Sequence, residues 1–191
     1  MPTHTLGHGW AGMMTLPREC TLDANGALCQ KPLRELQTLR RDEVHVENLA
    51  AHEKTALECL AGKQREMDLC IDMQKAQTLC LNLMETGEER FVVSYDRQSE
   101  TLRVDRSLCG YPLTKDLTPE QKPWAEAKVP LTDGKLYLHV FVDASIVEIY
   151  ADEGRVAMSS LAFPKGGDYG VSLEADEAVM VNASSWTLAS I

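Results

Sequence analysis

The sequence has 191 residues, enough for one domain with a short extension and for a core that needs no cross-links. Its 44% apolar and 25% charged residues exclude disordered and collagen-like chains, and no run approaches the ~18 apolar residues of a membrane helix. A net charge of −10 without any cluster of Lys and Arg argues against a nucleic-acid partner.

Residues 1–40 read differently from the rest. The opening MPTHTLGHGW has neither the basic nor the apolar run of a secretory leader. Leu33, Leu36 and Leu39 recur every third residue, as a helical turn or an irregular connector, and Arg40-Arg41-Asp42-Glu43 follows as an exposed linker. A boundary within residues 36–44 leaves a lead-in segment over 1–40 and one domain over 41–191.

From there the pattern has period two. Met67, Leu69, Ile71 and Met73 alternate with Asp68, Cys70 and Asp72, and Leu79, Leu81 and Leu83 alternate with Cys80 and Asn82. A turn at Thr86-Gly87-Glu88-Glu89 leads to Phe91, Val93 and Tyr95, then to Leu102 and Val104, before a break at Cys109-Gly110-Tyr111-Pro112. Residues 114–128, with Pro119 and Pro123, read as a long loop with one helical turn opening at Thr118-Pro119-Glu120. Residues 136–142 are apolar on both alternating faces apart from His139, as in a central sandwich strand. Asp143-Ala144-Ser145 breaks that run, 146–150 resumes it, Asp152-Glu153-Gly154 turns, and 155–161 returns as a hairpin partner. Three short strands over 170–173, 178–181 and 186–188 complete the set. Roughly ten to twelve short strands with almost no helix specify an all-β chain, an antiparallel two-sheet sandwich or barrel. Val140, Val142, Val147, Ile149 and Leu161 are its expected core.

Cys20, Cys29, Cys59, Cys70, Cys80 and Cys109 show no C-x-x-C pair and no zinc-finger spacing. They read as reduced structural thiols, Cys70 and Cys80 as small buried ones, and place the chain in the cytoplasm. The sequon at Asn182-Ala183-Ser184 reads as chance. His4 and His8 stand four apart beside Gly7 and Gly9, a lead-in more than a metal site. His45 and His52 are separated by what reads as a loop, and His139, in mid-strand, reads as a hydrogen-bonded structural residue. No G-x-S-x-G, P-loop or H-E-x-x-H motif occurs, and Gly7-His8-Gly9-Trp10-Ala11-Gly12 lacks the strand-then-helix context of a dinucleotide loop. Retaining glycoside hydrolysis needs two carboxylates about 5 Å apart, which spacing alone does not place. Asp143 reads as a cap for the turn after it and Glu148 as a structural strand residue. These residues nominate no catalytic, cofactor-binding or metal-binding side chain.

Several stretches carry a resemblance. Gly9-Trp10-Ala11-Gly12-Met13-Met14-Thr15-Leu16-Pro17-Arg18-Glu19 resembles the GWAG-x-x-[ST]-LPRE segment that ends the propeller of glycoside hydrolase family 32. Gln30-Lys31-Pro32-Leu33-Arg34-Glu35-Leu36 with Leu39-Arg40 is similar to the linker of that family, and Asp105-Arg106-Ser107 with Gly110 to its DRS-x-x-G stretch. Phe141-Val142-Asp143, Ser145 and Val147-Glu148 resemble its FVD-x-S-x-VE signature, continued by Asp152, Gly154, Phe163-Pro164, Trp186 and Leu188. The matches keep family order over nearly the whole chain.

The family joins a catalytic five-bladed β-propeller to a C-terminal sandwich of concanavalin-like, jelly-roll type. The resemblance therefore implies that residues 1–40 are the end of the last blade and its linker, and that 41–191 are the sandwich. Its nucleophile motif, of NDPNG type, has no counterpart here. Arg41-Asp42-Glu43 lacks the proline of its Arg-Asp-Pro motif, and Glu19-Cys20 and Glu58-Cys59 lie away from its acid/base position, so no catalytic residue is carried over.

The implied function is a non-catalytic module of an enzyme that hydrolyses β-fructofuranosyl bonds in sucrose, sucrose 6-phosphate or fructans. Its implied partners are the catalytic propeller and a second copy of the chain, with no cofactor. An independent lectin-like carbohydrate-binding module is the alternative, with Trp124 its one aromatic platform among Trp10, Trp124 and Trp186. A small free-standing enzyme lacks a nucleophile–base pair. The apolar lead-in residues Leu6, Trp10, Met13, Met14 and Leu16 are expected to fold back on the sandwich or to pair with a second chain, self-association being favoured.

Overall fold

A computed structural model describes residues 9, 12–111, 122–167 and 169–189. Alternating apolar residues need a buried face, and two six-stranded antiparallel sheets supply it by packing against each other. A hairpin of β1 (Arg18–Leu22) and β2 (Leu28–Pro32) precedes them.

The first sheet contains β3 (Arg40–Ala51), β5 (Gln64–Asp72), β10 (Lys135–Asp143), β11 (Ile146–Ala151), β12 (Val156–Leu161) and β14 (Val179–Leu188), in the order β12-β11-β10-β5-β14-β3. The second contains β4 (Thr55–Ala56), β6 (Thr78–Thr86), β7 (Glu89–Asp96), β8 (Thr101–Asp105), β9 (Trp124–Lys128) and β13 (Gly170–Ala175), in the order β4-β13-β6-β7-β8-β9.

Register follows the apolar pattern, since a slip of one residue would turn every inward side chain to solvent. Val140 stands opposite Met67 on one side and Ile149 on the other, and all three are buried. Across the interface lie Leu79, Leu81 and Leu83 of β6 with Phe91, Val93 and Tyr95 of β7. The Tyr95 hydroxyl meets its burial cost by donating to the Val129 carbonyl at 2.9 Å. Burial pushes that phenol up to about 12. In β6 the register shifts after Leu83, and Met84 takes φ +54, so both neighbours are buried.

Several expectations change. Arg40-Arg41-Asp42-Glu43 is no linker but the start of β3, because Arg40 pairs with Leu188. That strand also holds His45 and runs on to Ala51, in place of the expected loop between His45 and His52. The Leu33–Leu39 repeat keeps the first of its two readings, a helical turn, as a 3-10 turn over Arg34–Leu39. The expected long loop ends in strand β9, which β8 recruits by main-chain pairing, while its helical turn at Thr118-Pro119-Glu120 lies outside the described residues. The two final strands are one, β14, interrupted by register shifts after Val181 and Ser185. Cys70, Cys80 and Leu161 are half-buried, since Cys70 and Cys80 face outward.

Candidate functional site

Every residue of β11 is buried, so this strand is covered on both faces. Val147 and Ile149 enter the core, whereas Ile146, Glu148 and Tyr150 point outward. Their cover is the segment that precedes the sandwich.

Glu148 is 1% exposed. Four donors converge on its carboxylate: the Leu16 amide on Oε1 at 2.6 Å, and on Oε2 Arg18 Nη2 at 2.7 Å, the Tyr150 hydroxyl at 2.9 Å and the Ser159 hydroxyl at 3.1 Å. Arg18 also donates to Tyr150 Oη at 3.1 Å, Ser159 Oγ at 2.6 Å and Gln30 Oε1 at 3.3 Å. Burial alone would lower the Arg18 guanidinium, but Glu148 and Tyr150 hold it above its ordinary value. Burial, the Glu148 charge and the hydrogen bond to it push the Tyr150 phenol up to about 12. Charge-assisted bonds of this kind are about twice as strong as neutral ones.

The hairpin has further ties to the sandwich. Arg155 Nη2 meets Asp23 Oδ2 at 2.7 Å and Lys31 Nζ meets Glu153 Oε2 at 2.6 Å. Gly154, at φ +87, lies so near the Gln30 carbonyl that an added Cβ would sit 2.6 Å from it.

A second buried carboxylate, Glu66, projects from the same face of β5. Arg40 binds it twice, through Nε at 2.9 Å and Nη2 at 2.6 Å, and His139 Nε2 lies 2.7 Å away. The Arg40 guanidinium stacks 3.8 Å over the Trp186 ring. Phe141 pairs with Glu66 on one side and Glu148 on the other, so the two acids stand two strands apart, roughly 10 Å between backbones. Each is 1% exposed and closed by its donors, so neither meets a glycosidic oxygen. Beside them a groove of about 590 Å³ is lined by His45, Asp68, Tyr137, His139, Asn182 and Ser184. Among the described residues no cluster of three His, Cys, Asp or Glu is placed to hold a metal.

Glu19 and Glu58 are exposed and join neither the Glu148 nor the Glu66 cluster. Asp42 Oδ2 accepts from the Thr187 hydroxyl at 2.7 Å. Asp143 does not cap its own turn; Gln64 Nε2 donates to it at 3.3 Å. His139 is hydrogen-bonded in mid-strand. Trp124 makes a poor sugar platform, since Arg103 and Lys122 lie 4.0 and 4.1 Å from its ring centre. Leu6, His4, His8 and Trp10 lie outside the described residues; Met13 and Met14 are exposed, and Leu16 is half-buried. The lead-in thus folds back through Leu16 and Arg18. Sequence reasoning singled out neither Glu66, Arg40 nor Tyr150. Glu66 shares the outward parity of Asp68, but only the pairing of β5 with β10 brings it to His139.

The family model described as "Glycosyl hydrolases family 32 C terminal" matches residues 35–188. The chain is 30% identical to a raffinose invertase of Escherichia coli over 98% of its own length and 37% of that enzyme. It is also 30% identical to a probable sucrose-6-phosphate hydrolase of Psychromonas ingrahamii, over 88% of the chain and 28% of the relative. It therefore spans about a third of the length of the relatives it matches. Among solved structures, fructan 1-exohydrolase IIa from Cichorium intybus superposes with a TM-score of 0.80 at 16% identity, covering 95% of this chain and 42% of that one.

Proposed function

The chain belongs to glycosyl hydrolase family 32, as its C-terminal domain, and from that premise we propose that it performs no catalysis of its own and serves as the seat of the family's catalytic domain. The observation that carries this reading is the Glu148 clamp. A carboxylate buried in the sandwich takes two of its four donors from Leu16 and Arg18, in the segment through which a preceding domain would join. Ion-paired carboxylates with no access for substrate suit an interface and not hydrolysis. The parent enzyme then cleaves β-fructofuranosyl bonds in sucrose, its 6-phosphate or a fructan, in line with what its relatives are named for.

Self-association belongs to the same proposal. Met14, Leu22 and Leu28 are 94%, 70% and 52% exposed along the hairpin and its approach, apolar surface that a catalytic domain or a second copy would cover. A cytoplasmic location belongs to the proposal too, and would suit six free thiols.

Incubating the purified chain with sucrose, sucrose 6-phosphate, inulin and levan tests the reading. No fructose should be released. Release above a blank that disappears on substituting any one carboxylate here would overturn it.

A further inference from the structure

The Asp105-Arg106-Ser107 segment takes no part in the Glu148 clamp, yet it delivers a charge to a second cleft. This cleft, about 540 Å³, opens where β9 and β12, each the last strand of its sheet, run close together. Arg106, Lys122 and Glu126 line it with Trp124 and Ser160, and Gln30 of the hairpin stands at its rim.

Arg106 is half-buried, and among the described residues the hydrogen bonding of its side chain amounts to one long contact, Nη1 to the Leu161 carbonyl at 3.4 Å. No described carboxylate pairs with it. Its neighbour Asp105 is committed elsewhere: Oδ1 accepts the Ser107 amide at 2.8 Å and Oδ2 faces Arg103 at 3.4 Å. Burial pushes the Arg106 guanidinium below the ordinary arginine value, and no described anion offsets it. Lys122 is exposed, rests against the Trp124 ring and likewise pairs with no described carboxylate. Arg155, a third cation on the wall, is already neutralised by Asp23 and Asp152. Glu126 also lines the cleft, so among the described residues Arg106 and Lys122 leave an excess of one positive charge there, in a chain of net charge −10.

A cation withdrawn from water without a counterion is costly, and an anion entering the cleft would relieve that cost. The Ser159 hydroxyl is spent on Glu148, but a guanidinium fork, an ammonium point charge and the Ser160 hydroxyl, whose one contact is long at 3.5 Å, offer more donors than the two oxygens of a carboxylate use, and they suit a tetrahedral oxyanion. We propose that this edge cleft binds a small oxyanion of the phosphate-monoester class, gripped by Arg106 and steadied by Lys122.

The test is titration of the full chain with inorganic phosphate at constant ionic strength, chloride making up the balance, with tryptophan emission as the readout. A saturable change is expected, absent from Trp124→Phe, weakened at least tenfold by Arg106→Gln and several-fold by Lys122→Gln. Arg41→Gln, an exposed change on β3, should leave it untouched. Lys122 is exposed, so its variant folds and decides the matter even if Arg106→Gln does not. A response that is not saturable, that survives in Trp124→Phe, or that is equal in wild type and Lys122→Gln would overturn the proposal.

Discussion

Arg18 and Glu148, 130 residues apart in the sequence, meet at 2.7 Å, and their pairing fastens the N-terminal hairpin to the outer face of the sandwich. Removing one partner of a buried pair leaves the other charge without compensation, at about 3–5 kcal/mol. The Arg18 side chain keeps 17% of its surface in water, so Arg18→Ala should fall at the lower end of that range. Urea denaturation measures it, and a double-mutant cycle with Glu148→Gln separates the pair from its surroundings. A loss below about 1 kcal/mol would mean that the clamp contributes little.

Gly154→Ala should release the hairpin while sparing the core. The new methyl would lie 2.6 Å from the Gln30 carbonyl and 2.9 Å from Lys31 Cγ, on a backbone at φ +87 that disfavours a side chain. Limited proteolysis should cut residues 18–32 faster, with hydrogen exchange in β5 and β10 unchanged. Unaltered cleavage would show that the hairpin tolerates the shift.

Acid should weaken the fold through Glu66. Burial alone would raise its pKa, but Arg40 and His139 together hold it below the usual carboxylate range. A depressed folded-state pKa gives stability that is present above the unfolded value of about 4.3 and is lost as pH falls through the folded one. Thermal melts should therefore drop as pH falls below about 4.3, and Glu66→Gln should flatten that limb while lowering stability at neutral pH. An acid limb as steep in Glu66→Gln as in wild type would place the titrating group elsewhere.

The exposed apolar pair at the hairpin end bears on association. Leu22 stands opposite Leu28, and both face solvent. If self-association uses this surface, Leu22→Ser with Leu28→Ser should shift the chain toward monomer in light scattering at high concentration. A wild-type chain that is monomeric throughout would remove self-association from the proposed function.

The sandwich was legible because its strands obey local rules. Residues 67–73 and 79–83 announce a buried face by alternation, and 136–142 and 146–150 a central strand by their apolar runs; Val140, Val142, Val147 and Ile149 lie in the core as those patterns require. Trp124 illustrates what local rules miss: prolines and charges mark 114–128 as a loop, yet main-chain pairing with β8 makes its last five residues a strand. The site was less legible still. Glu148 passes for an ordinary strand acid until Arg18 arrives from a different part of the chain, and Glu66 gains meaning only when β5, β10 and β3 bring it to His139 and Arg40. Long-range pairing carries no period for a sequence reader to find.

The Arg18–Glu148 clamp also sets a timetable for biosynthesis. Leu16 and Arg18 leave the ribosome 130 residues before the acid that receives them. At about 5–20 residues per second, the hairpin waits on the order of ten seconds with its donors and apolar residues facing solvent. β3 waits as well, since its one partner in the sheet is β14, the last strand synthesised of those described. During that interval a nascent chain depends on chaperones or on a domain already folded upstream, and codon changes that slow translation between residues 18 and 148 should raise the share lost to aggregation.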